Sequence, residues 1–317
     1  GMRIVFPEGE EAKILHAAQM ILDEEIARPV LLGRKSHIEM KAHEMKIDIE
    51  GIEIIDPEHF EKCEKYVEEL FRMRRRKGFT RARAAKYIER PNYLGAMMVH
   101  IGDADGLVSG LTQSYPSTIK PALQIIGMAE GRKRVAGLYI VMTKRDTYFF
   151  ADTTVNIDPT EEELAEIAIM TAEVVKRFNM VPKIAMLSFS TFGSTRLPQS
   201  IKVQQSVELI HKLDPDLIID GEIQADIALS PDVLQEVYPF SNLKNGVNTL
   251  IFPDLDAGNI AYKLMGKIGG AALLGPILMG MEKPVHVLQQ GCDVDAIVNI
   301  AAVCAMESVD MKKTKAR

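Results

Sequence analysis

The side chains best suited to chemistry in this sequence are arginines that follow a predicted helix. A helix predicted over about 58–76 ends in a basic run at 72–77, which Gly78 follows. A guanidinium can hold a phosphate group through two parallel hydrogen bonds, so an arginine of this run could bind phosphate. Basic residues also stabilise the C-terminus of a helix, and a glycine commonly ends one. The sequence alone leaves both interpretations open.

Two loops rich in hydroxyl groups are a second kind of candidate anion site. Residues 114–118, Ser-Tyr-Pro-Ser-Thr, precede a helix predicted over 119–128. Residues 188–196 follow a strand predicted over 184–187 and contain hydroxyl side chains, a glycine and an arginine. Backbone N–H groups at the start of a helix can bind an anion, although serine and threonine also cap helices. The loop at 188–196 has the spacing neither of a P-loop nor of a dinucleotide-binding motif.

Acidic side chains in two further turns could bind a metal or act as acids and bases. Asp103 and Asp105 lie in a glycine-flanked turn that lacks the further oxygen ligands of a calcium loop. Asp220, Glu222 and Asp226 follow a predicted strand and could form a catalytic pair or hydrogen-bond the strand end. The seven histidines are scattered without metal-binding spacing, so we expect no metal site.

Alternating strands and helices must position these residues. Strands predicted at 4–6 and 30–33 flank a helix predicted over 11–26, and this order implies a parallel strand pair. The apolar runs at 97–100 and 107–108 are also predicted to be strands. The sequence therefore predicts the α/β fold class.

A second domain is predicted to begin where the pattern resets, around residues 131–134. Its clearest helix start is Thr160, because Thr160 and Glu163 match a capping box. Acidic residues in a first helical turn also complement the helix dipole. We therefore interpret these glutamates as capping and surface residues rather than as general acids.

The overall composition limits the classes of partner. The 317 residues carry a formal net charge of −6, which argues against generic binding to nucleic acid or an anionic membrane. No apolar run approaches the roughly 18 residues of a membrane span. The three cysteines fit no metal spacing and favour reduced thiols in a cytoplasmic protein. Gly1 ahead of Met2, with a strand starting at once, indicates a segment taken from a longer protein.

Several long motifs resemble the phosphate acetyltransferase family over essentially the whole chain. They include Asp-Thr-Thr-Val-Asn-Ile-Asp-Pro-Thr at 152–160, Asp-Gly-Glu-Ile-Gln-Ala-Asp at 220–226, Phe-Pro-Asp-Leu-Asp-Ala-Gly-Asn-Ile at 252–260 and Gly-Pro-Ile-Leu at 275–278. The resemblance implies a two-domain, phosphotransacetylase-like αβα fold of three layers, similar to isocitrate and isopropylmalate dehydrogenases, with a cleft between the domains. It implies a discontinuous first domain, 1–131 plus 283–317, and an inserted second domain, 132–282. A homodimer and acetyl-CoA or acetyl phosphate as ligand are also implied.

The resemblance assigns roles to individual residues. In active members CoA thiolate attacks acetyl phosphate, an aspartate accepts the thiol proton, a serine stabilises charge and arginines bind the phosphate. Arg74 matches a family arginine, and Lys120 stands where the family has arginine. Gln289 and Gln290 replace the serine and the next arginine, and Ala296 replaces the aspartate. Losing such groups typically costs about 10²–10⁴-fold in rate each, so the resemblance predicts little or no acetyl transfer.

Short passages resemble one relative in particular, the phosphotransacetylase-like C-terminal domain of the large bacterial NADP-dependent malic enzymes. They are Ser-Tyr-Pro at 114–116, Asn-Met-Val-Pro at 179–182 and Ser-Thr-Phe-Gly-Ser at 190–194. This resemblance implies a regulatory domain that binds acetyl-CoA without transferring its acetyl group. NADP and a divalent metal are then expected only in a preceding malic enzyme domain, and a higher oligomer in the full protein.

Two alternatives remain beside that interpretation. The chain could be an active phosphate acetyl- or butyryltransferase that uses Arg74, Lys120 and Gln290 in an altered arrangement. It could also be a dimerisation module, for which the only motive is the methionine-rich, apolar character of its C-terminal helices. The residues that we predict to bind a ligand are Arg74, Ser109, Ser114, Tyr115, Lys120, Asn156, Ser190, Gly193, Ser194, Asn259, Gln289 and Gln290.

Overall fold

A computed structural model describes residues 1–60 and 63–315 of the chain. Its internal contacts divide the chain into two compact units, the first formed by Gly1–Gly131 and Met281–Arg317 and the second by Arg132–Gly280. That these units are independent domains with the predicted boundaries stays a prediction.

The strands and helices alternate along most of the chain. The strands are β1 Arg3–Phe6, β2 Arg28–Leu32, β3 Glu53–Ile55, β4 Gly106–Ser109, β5 Ala136–Met142, β6 Thr147–Ala151, β7 Lys183–Leu187, β8 Ile218–Ile223, β9 Thr249–Ile251, β10 Ala272–Met279 and β11 Val285–Val287. The helices are α1 Ala12–Asp23, α2 Lys35–Met45, α3 Cys63–Arg74, α4 Arg81–Ile88, α5 Pro91–Ile101, α6 Tyr115–Ile125, α7 Glu161–Arg177, α8 Pro198–Leu213, α9 Ala225–Ala228, α10 Pro231–Val237, α11 Leu255–Lys267 and α12 Val294–Lys315.

The first unit contains a parallel sheet in the order β11-β4-β1-β2-β3. Ile4 pairs with Gly106, and Cys304 of α12 lies against Gly106. The next strand pair is Val5 and Leu107. Both of these side chains lie against Gly95 of α5. Successive strand residues point to opposite faces, so helices cover this sheet on both sides. The first unit therefore has three layers.

The predicted strand at 97–100 is wrong, because these residues lie within helix α5. Pro91 occupies the first turn of the helix, and Gly102 ends it in the left-handed conformation at φ +93°. Eight consecutive residues from 92 to 99 are buried, so the helix shows no polar face. A short apolar run of this kind cannot be assigned to a strand or a helix by its periodicity.

The second unit contains a mixed sheet in the order β10-β5-β6-β9-β7-β8. Strands β10, β5 and β6 pair antiparallel, and the remaining pairs are parallel. Tyr139 of β5 stacks on Tyr262 of α11, with ring centroids 4.0 Å apart. Phe149 of β6 packs against Phe178, which follows α7, at 5.8 Å. The predicted capping box at the start of α7 is confirmed, since Thr160 and its third following residue bond reciprocally.

Candidate functional site

The carboxyl edge of the first-unit sheet is where its strand ends bring polar loops together. From β1 the chain continues to β2 and β3 on one side of the sheet, whereas β4 and β11 lie on the other side. The strand order therefore reverses between β1 and β4. Ligands of open α/β sheets bind at such a point, outside the carboxyl ends of the strands.

Glu8, directly after β1, occupies this switch point. Its carboxylate accepts hydrogen bonds from the backbone N–H groups of Gly110, Leu111 and Thr112, at 2.7, 2.9 and 2.8 Å. The hydroxyl of Thr112 donates to it as well, at 2.7 Å. The predicted ligand residue Ser109 donates to Asn92 at 2.8 Å and lies 3.3 Å from Glu8. The backbone N–H groups that could hold an anion here thus already hold a carboxylate of the protein itself.

The loop that carries the two glutamines joins the same edge. The side-chain amide of Gln290 donates to the carbonyl of Thr112 at 3.2 Å. The N–H of Gly291 donates to the carbonyl of Leu111 at 2.9 Å. Lys13 donates to the carbonyls of Gly291 and Cys292, at 2.9 and 2.7 Å. The loops after β4 and β11 are therefore bonded together, with an exposed Gln290 between them.

Ala296 lies in the first turn of α12 and offers no acid–base group. Its N–H donates to the carboxylate of Asp293 at 2.9 Å, as in a helix cap. Burial, and secondly the charge of Asp293, raise the pKa of the nearby Cys292 thiol to about 11. The thiol of Cys292 therefore ionises less readily than an ordinary thiol, which disfavours a role as nucleophile.

Arg74 and Lys120 lie on helices α3 and α6 of the first unit, near two tyrosines. Arg74 ends α3 with its guanidinium carbon 5.6 Å from the ring centre of Phe79. Its Nε is buried and has no hydrogen-bond partner in the described part of the chain. Lys120, on α6, is one of the charges that lower the pKa of Tyr87, after the larger effect of a hydrogen bond from Arg83. Burial raises the pKa of the neighbouring Tyr93, and the charge of Arg74 acts in the opposite direction.

The hydroxyl-rich loop before α6 is only partly available to a ligand. Ser114 occupies the position before the helix but makes no capping bond with its side chain. Its hydroxyl lies 3.0 Å from that of Ser117. Tyr115 is the first residue of the helix, which begins four residues earlier than the sequence predicts.

In the second unit, the predicted anion loop surrounds the buried carboxylate of Glu222, which is 2% exposed. Ser190 donates its hydroxyl to Glu222 at 2.9 Å, and Gly193 donates its N–H at 2.6 Å. The hydroxyl of Ser194 accepts from the N–H of Thr191 at 3.0 Å. The structure brings the three predicted residues of this loop together, but an acidic side chain of the protein accepts the hydrogen bonds of Ser190 and Gly193.

Asn156 and Asn259 hold a further loop of the second unit. The carboxylate of Asp152 accepts from the backbone N–H groups of Thr154 and Asn156, at 2.9 and 2.8 Å. The amide of Asn156 donates to the carbonyl of Val135, and that of Asn259 to the carbonyl of Thr153, each at 3.0 Å. Both predicted ligand residues thus have internal partners. Their role as ligand residues stays a prediction.

One of the remaining acidic candidates, Asp220, also has structural partners. Asp220 accepts from the hydroxyl of Ser241 at 2.8 Å and from the N–H of Gly221 at 2.9 Å. These bonds match the hydrogen-bonding interpretation of the strand end. Within residues 1–60 and 63–315, no group of three or more His, Cys, Asp or Glu side chains is arranged to hold a metal ion.

Helix α4 carries candidate residues that the sequence reasoning missed. Arg83 and Tyr87 lie on this helix and contact Phe79, and Arg90, just after the helix, lies over the ring of Tyr87. The available signal was charge, because residues 72–90 contain nine basic residues and one acidic residue. Only the first part of that segment, 72–77, entered the prediction.

Comparison with known proteins decides the family. The model of the family described as "Phosphate acetyl/butaryl transferase" matches residues 1–305. The chain belongs to this family. It is 41% identical over 313 residues to a phosphate acetyltransferase of Clostridium acetobutylicum, covering 96% of this chain and 94% of that protein. It is 39% identical over 308 residues to the phosphate acetyltransferase of Bacillus subtilis, covering 97% and 95%.

Solved structures agree with that assignment. A phosphotransacetylase from Streptococcus pyogenes matches with a TM-score of 0.93 at 38% identity, covering 98% of this chain and 94% of that one. The predicted phosphotransacetylase-like α/β fold is thereby confirmed. Likeness to dehydrogenases is distant: 4-hydroxythreonine-4-phosphate dehydrogenases match at 12% identity and at most 0.58 in TM-score. The cleft between domains stays a prediction.

The interpretation as a regulatory malic enzyme domain is wrong. The Clostridium and Bacillus relatives match along almost their full length and are named phosphate acetyltransferase, not malic enzyme. The assignments to oxidoreductases and to allosteric regulation depended on that interpretation and are wrong as well. The expectation of NADP and a divalent metal also depended on it. That interpretation relied on short loop motifs, and the structure shows that Ser190 and Gly193 in one of them bind Glu222.

Among the helices that the structure describes, none combines the length and the apolar composition that a membrane span requires.

Replacing Glu222 tests whether the loop at 188–196 depends on its charge. Glu222→Gln removes a charged acceptor and adds a buried N–H donor, so we expect the free energy of unfolding to fall by about 2 kcal/mol. Hydrogen exchange at the amide of Gly193 should become faster. The control is Asp226→Asn, since the Asp226 side chain is exposed. Unchanged exchange at Gly193 in Glu222→Gln would contradict the role of this carboxylate.

Proposed function

We propose that this protein transfers an acetyl group between CoA and inorganic phosphate, interconverting acetyl-CoA and acetyl phosphate. Two kinds of support lead to this proposal. The named relatives along the whole chain are phosphate acetyltransferases. The first unit also presents cations without carboxylate partners in the described part of the chain, where the family resemblance expects phosphate to bind.

The observation that best supports the proposal is that Arg74 lacks a partner for its buried Nε among the described residues. Two residues earlier on α3, Arg72 forms two hydrogen bonds with Glu69, at 2.8 and 2.6 Å. Arg74 has no carboxylate partner among the described residues, and its Nε is buried without an acceptor. An unsatisfied buried donor on a charged group is costly, and a phosphate oxygen would satisfy it. Lys120, which also lacks an ion pair among the described residues, adds a second cation.

The reaction can be written with these side chains in named roles. The thiolate of CoA attacks the acetyl carbonyl of acetyl phosphate, a C–S bond forms, and the C–O bond to phosphate breaks. The phosphate leaves with the bonding electron pair, and Arg74 and Lys120 offset its charge. Gln290 uses one N–H of its amide to bind the carbonyl of Thr112. The second N–H remains to donate to the oxygen that gains charge on the acetyl carbon.

The position of the family aspartate distinguishes this chain from the pattern of active members. With Ala296 there, no carboxylate at that position accepts the thiol proton, so the proton must pass to solvent. The rate of acetyl-CoA formation should then follow the fraction of CoA that is ionised, and be lower than in a chain with a positioned base.

The first test is the reaction itself with an Arg74 variant. We expect the purified protein to form acetyl-CoA from acetyl phosphate and CoA, and Arg74→Ala to lower kcat/KM for acetyl phosphate about 100-fold. The matched control is Arg72→Ala on the same helix, which should leave the rate nearly unchanged. Absence of acetyl-CoA formation, or equal losses in both variants, would overturn the proposal.

The second test is the pH dependence of the rate. A thiolate nucleophile without a general base gives a rate that rises about tenfold per pH unit well below the ordinary thiol pKa of about 8.5. We expect this slope between pH 6 and 7.5 for kcat/KM with respect to CoA. A rate that is flat over this interval would show that the chain contains a base that we have not identified.

The third test restores the family pattern. The triple variant Gln289→Ser, Gln290→Arg, Ala296→Asp supplies a charge stabiliser and a base, and we expect kcat to rise by about 10²–10⁴-fold. Asp295→Asn serves as the control, because Asp295 is exposed one position before Ala296. No gain in the triple variant would mean that this loop does not hold the reacting groups.

The homodimer and the cytoplasmic location inferred from the sequence belong to this proposal as expectations. The cytoplasmic location accords with the thiols of Cys63, Cys292 and Cys304, which form no disulfide bond.

A further inference from the structure

Glu8 connects the end of β1 to the loop that holds Gln290. Its carboxylate accepts hydrogen bonds from three successive backbone N–H groups, those of residues 110–112, at 2.7, 2.9 and 2.8 Å. Successive N–H groups that converge on one point form a concave anion site in the backbone. In this protein the anion is a side chain that lies 102 residues before Gly110.

Both oxygens of the Glu8 carboxylate take part in this contact. Oε2 accepts from the N–H groups of Gly110 and Leu111. Oε1 accepts from the N–H of Thr112 and, at 2.7 Å, from its hydroxyl. Hydrogen bonds to a charged acceptor are roughly twice as strong as those between neutral groups. The carboxylate therefore holds the loop more firmly than a neutral side chain of the same shape would.

The backbone on each side of this contact leaves little room for adjustment. Gly110 has a φ of +113°, and a Cβ there would lie 3.2 Å from the carbonyl oxygen of Leu288. Gly9 donates its N–H to the carbonyl of Leu32 at 3.1 Å, and a Cβ at Gly9 would lie 2.7 Å from that oxygen. Glu8 and the loop that it binds are thus each packed closely against a neighbouring strand or loop.

Gln290 is bound to the same loop. The N–H of Leu288 donates to the carbonyl of Ser109 at 2.7 Å, so the pairing of β11 with β4 continues past the strand ends. The side-chain amide of Gln290 donates to the carbonyl of Thr112 at 3.2 Å, and this is its only hydrogen-bond partner among the described residues. Thr112 is also the residue that Glu8 binds twice. The position of the exposed Gln290 amide therefore depends on Glu8 through Thr112.

The carbonyl that receives Gln290 is held from both sides. Before it, Glu8 binds the N–H and the hydroxyl of Thr112. After it, the side chain of Gln113 accepts a hydrogen bond at 2.9 Å from the amide of Asn92, which is 7% exposed. Loss of the carboxylate would release only the first of these sides. We therefore expect the loop to shift, rather than to unfold, when Glu8 is replaced.

We propose that Glu8 is a positioning residue for acetyl transfer, which acts by holding the amide of Gln290 at the acetyl oxygen. The inference rests on the proposed function, in which the second N–H of Gln290 donates to the oxygen that gains charge. A donor of this kind is effective when it is held in place before the charge develops. A displacement of about 1 Å can cost about 100-fold in rate.

A double-mutant cycle between Glu8 and Gln290 tests this role. We expect Glu8→Gln to lower kcat about 10- to 100-fold and to leave both KM values within about twofold of the wild type. Gln290→Ala should lower kcat at least as much, and adding Glu8→Gln to it should cause no further loss. The control is Glu11→Gln, which should keep wild-type kinetics because the Glu11 side chain makes no capping bond to α1. Losses that multiply in the double variant would show that Glu8 acts by another route and would overturn the inference.

Chemical rescue separates the carboxylate from the rest of the side chain. Glu8→Ala leaves the three N–H groups without their acceptor, and formate is small enough to take its place. We expect formate to raise kcat of Glu8→Ala several-fold, and sodium chloride at the same concentration to leave it unchanged. Formate should not raise kcat of Gln290→Ala. Equal effects of the two salts would contradict the role of the carboxylate. Circular dichroism establishes that each variant is folded, and the cycle with Glu8→Gln decides the matter if Glu8→Ala is not.

A measurement without turnover separates this inference from the proposed function. The side-chain amide signals of Gln290 in a two-dimensional NMR spectrum are identified by their loss in Gln290→Ala. We expect these signals to shift in Glu8→Ala and to return when formate is added. Signals that do not move overturn the inference, and an active wild type then leaves the proposed function standing. A wild type without turnover overturns the proposed function, whereas shifted signals still support the control of Gln290 by Glu8.

Discussion

Three carboxylates of the protein each gather the donors of a loop near the carboxyl end of a strand. Glu8 does so after β1, Asp152 after β6, and Glu222 at the end of β8. Each backbone N–H left without an acceptor in a buried loop would cost about 1–3 kcal/mol. A charged acceptor that takes several such bonds holds the loop in one conformation. Glu8 and Glu222 thus fix the conformations of the loops after β4 and β7. They also fix the positions of the predicted ligand residues in those loops.

This arrangement determines how the protein can meet a negatively charged ligand. In many α/β proteins, backbone N–H groups at strand ends hold the phosphate directly. Here those groups face carboxylates, which would repel a phosphate in the same position. Positive charge must then come from side chains on helices. In our proposal Arg74 and Lys120 supply it in the first unit, on the helices α3 and α6.

The sequence predicts elements well where the signal is local, and poorly where it is not. The capping box at Thr160 depends on residues three positions apart and is predicted correctly. Helix α5 is misassigned because it is buried on nearly every side, and α4 is missed because its basic residues hide its short apolar pattern. The loop at 110–112 depends on Glu8, which lies 102 residues before Gly110. The sequence of a hydroxyl- and glycine-rich loop is the same whether its donors bind a ligand or a distant carboxylate of the protein.

The path of the chain through the first-unit sheet has a consequence for synthesis on the ribosome. Strand β11 pairs with β4, and α12 covers the face that contains Ile4 and Gly106, yet both elements follow the whole second unit along the chain. The second unit can therefore emerge and fold while the first still lacks an edge strand and one covering helix. An uncovered sheet edge and apolar face invite association with other chains. The nascent protein thus has an interval of exposure that ends only when β11 and α12 emerge.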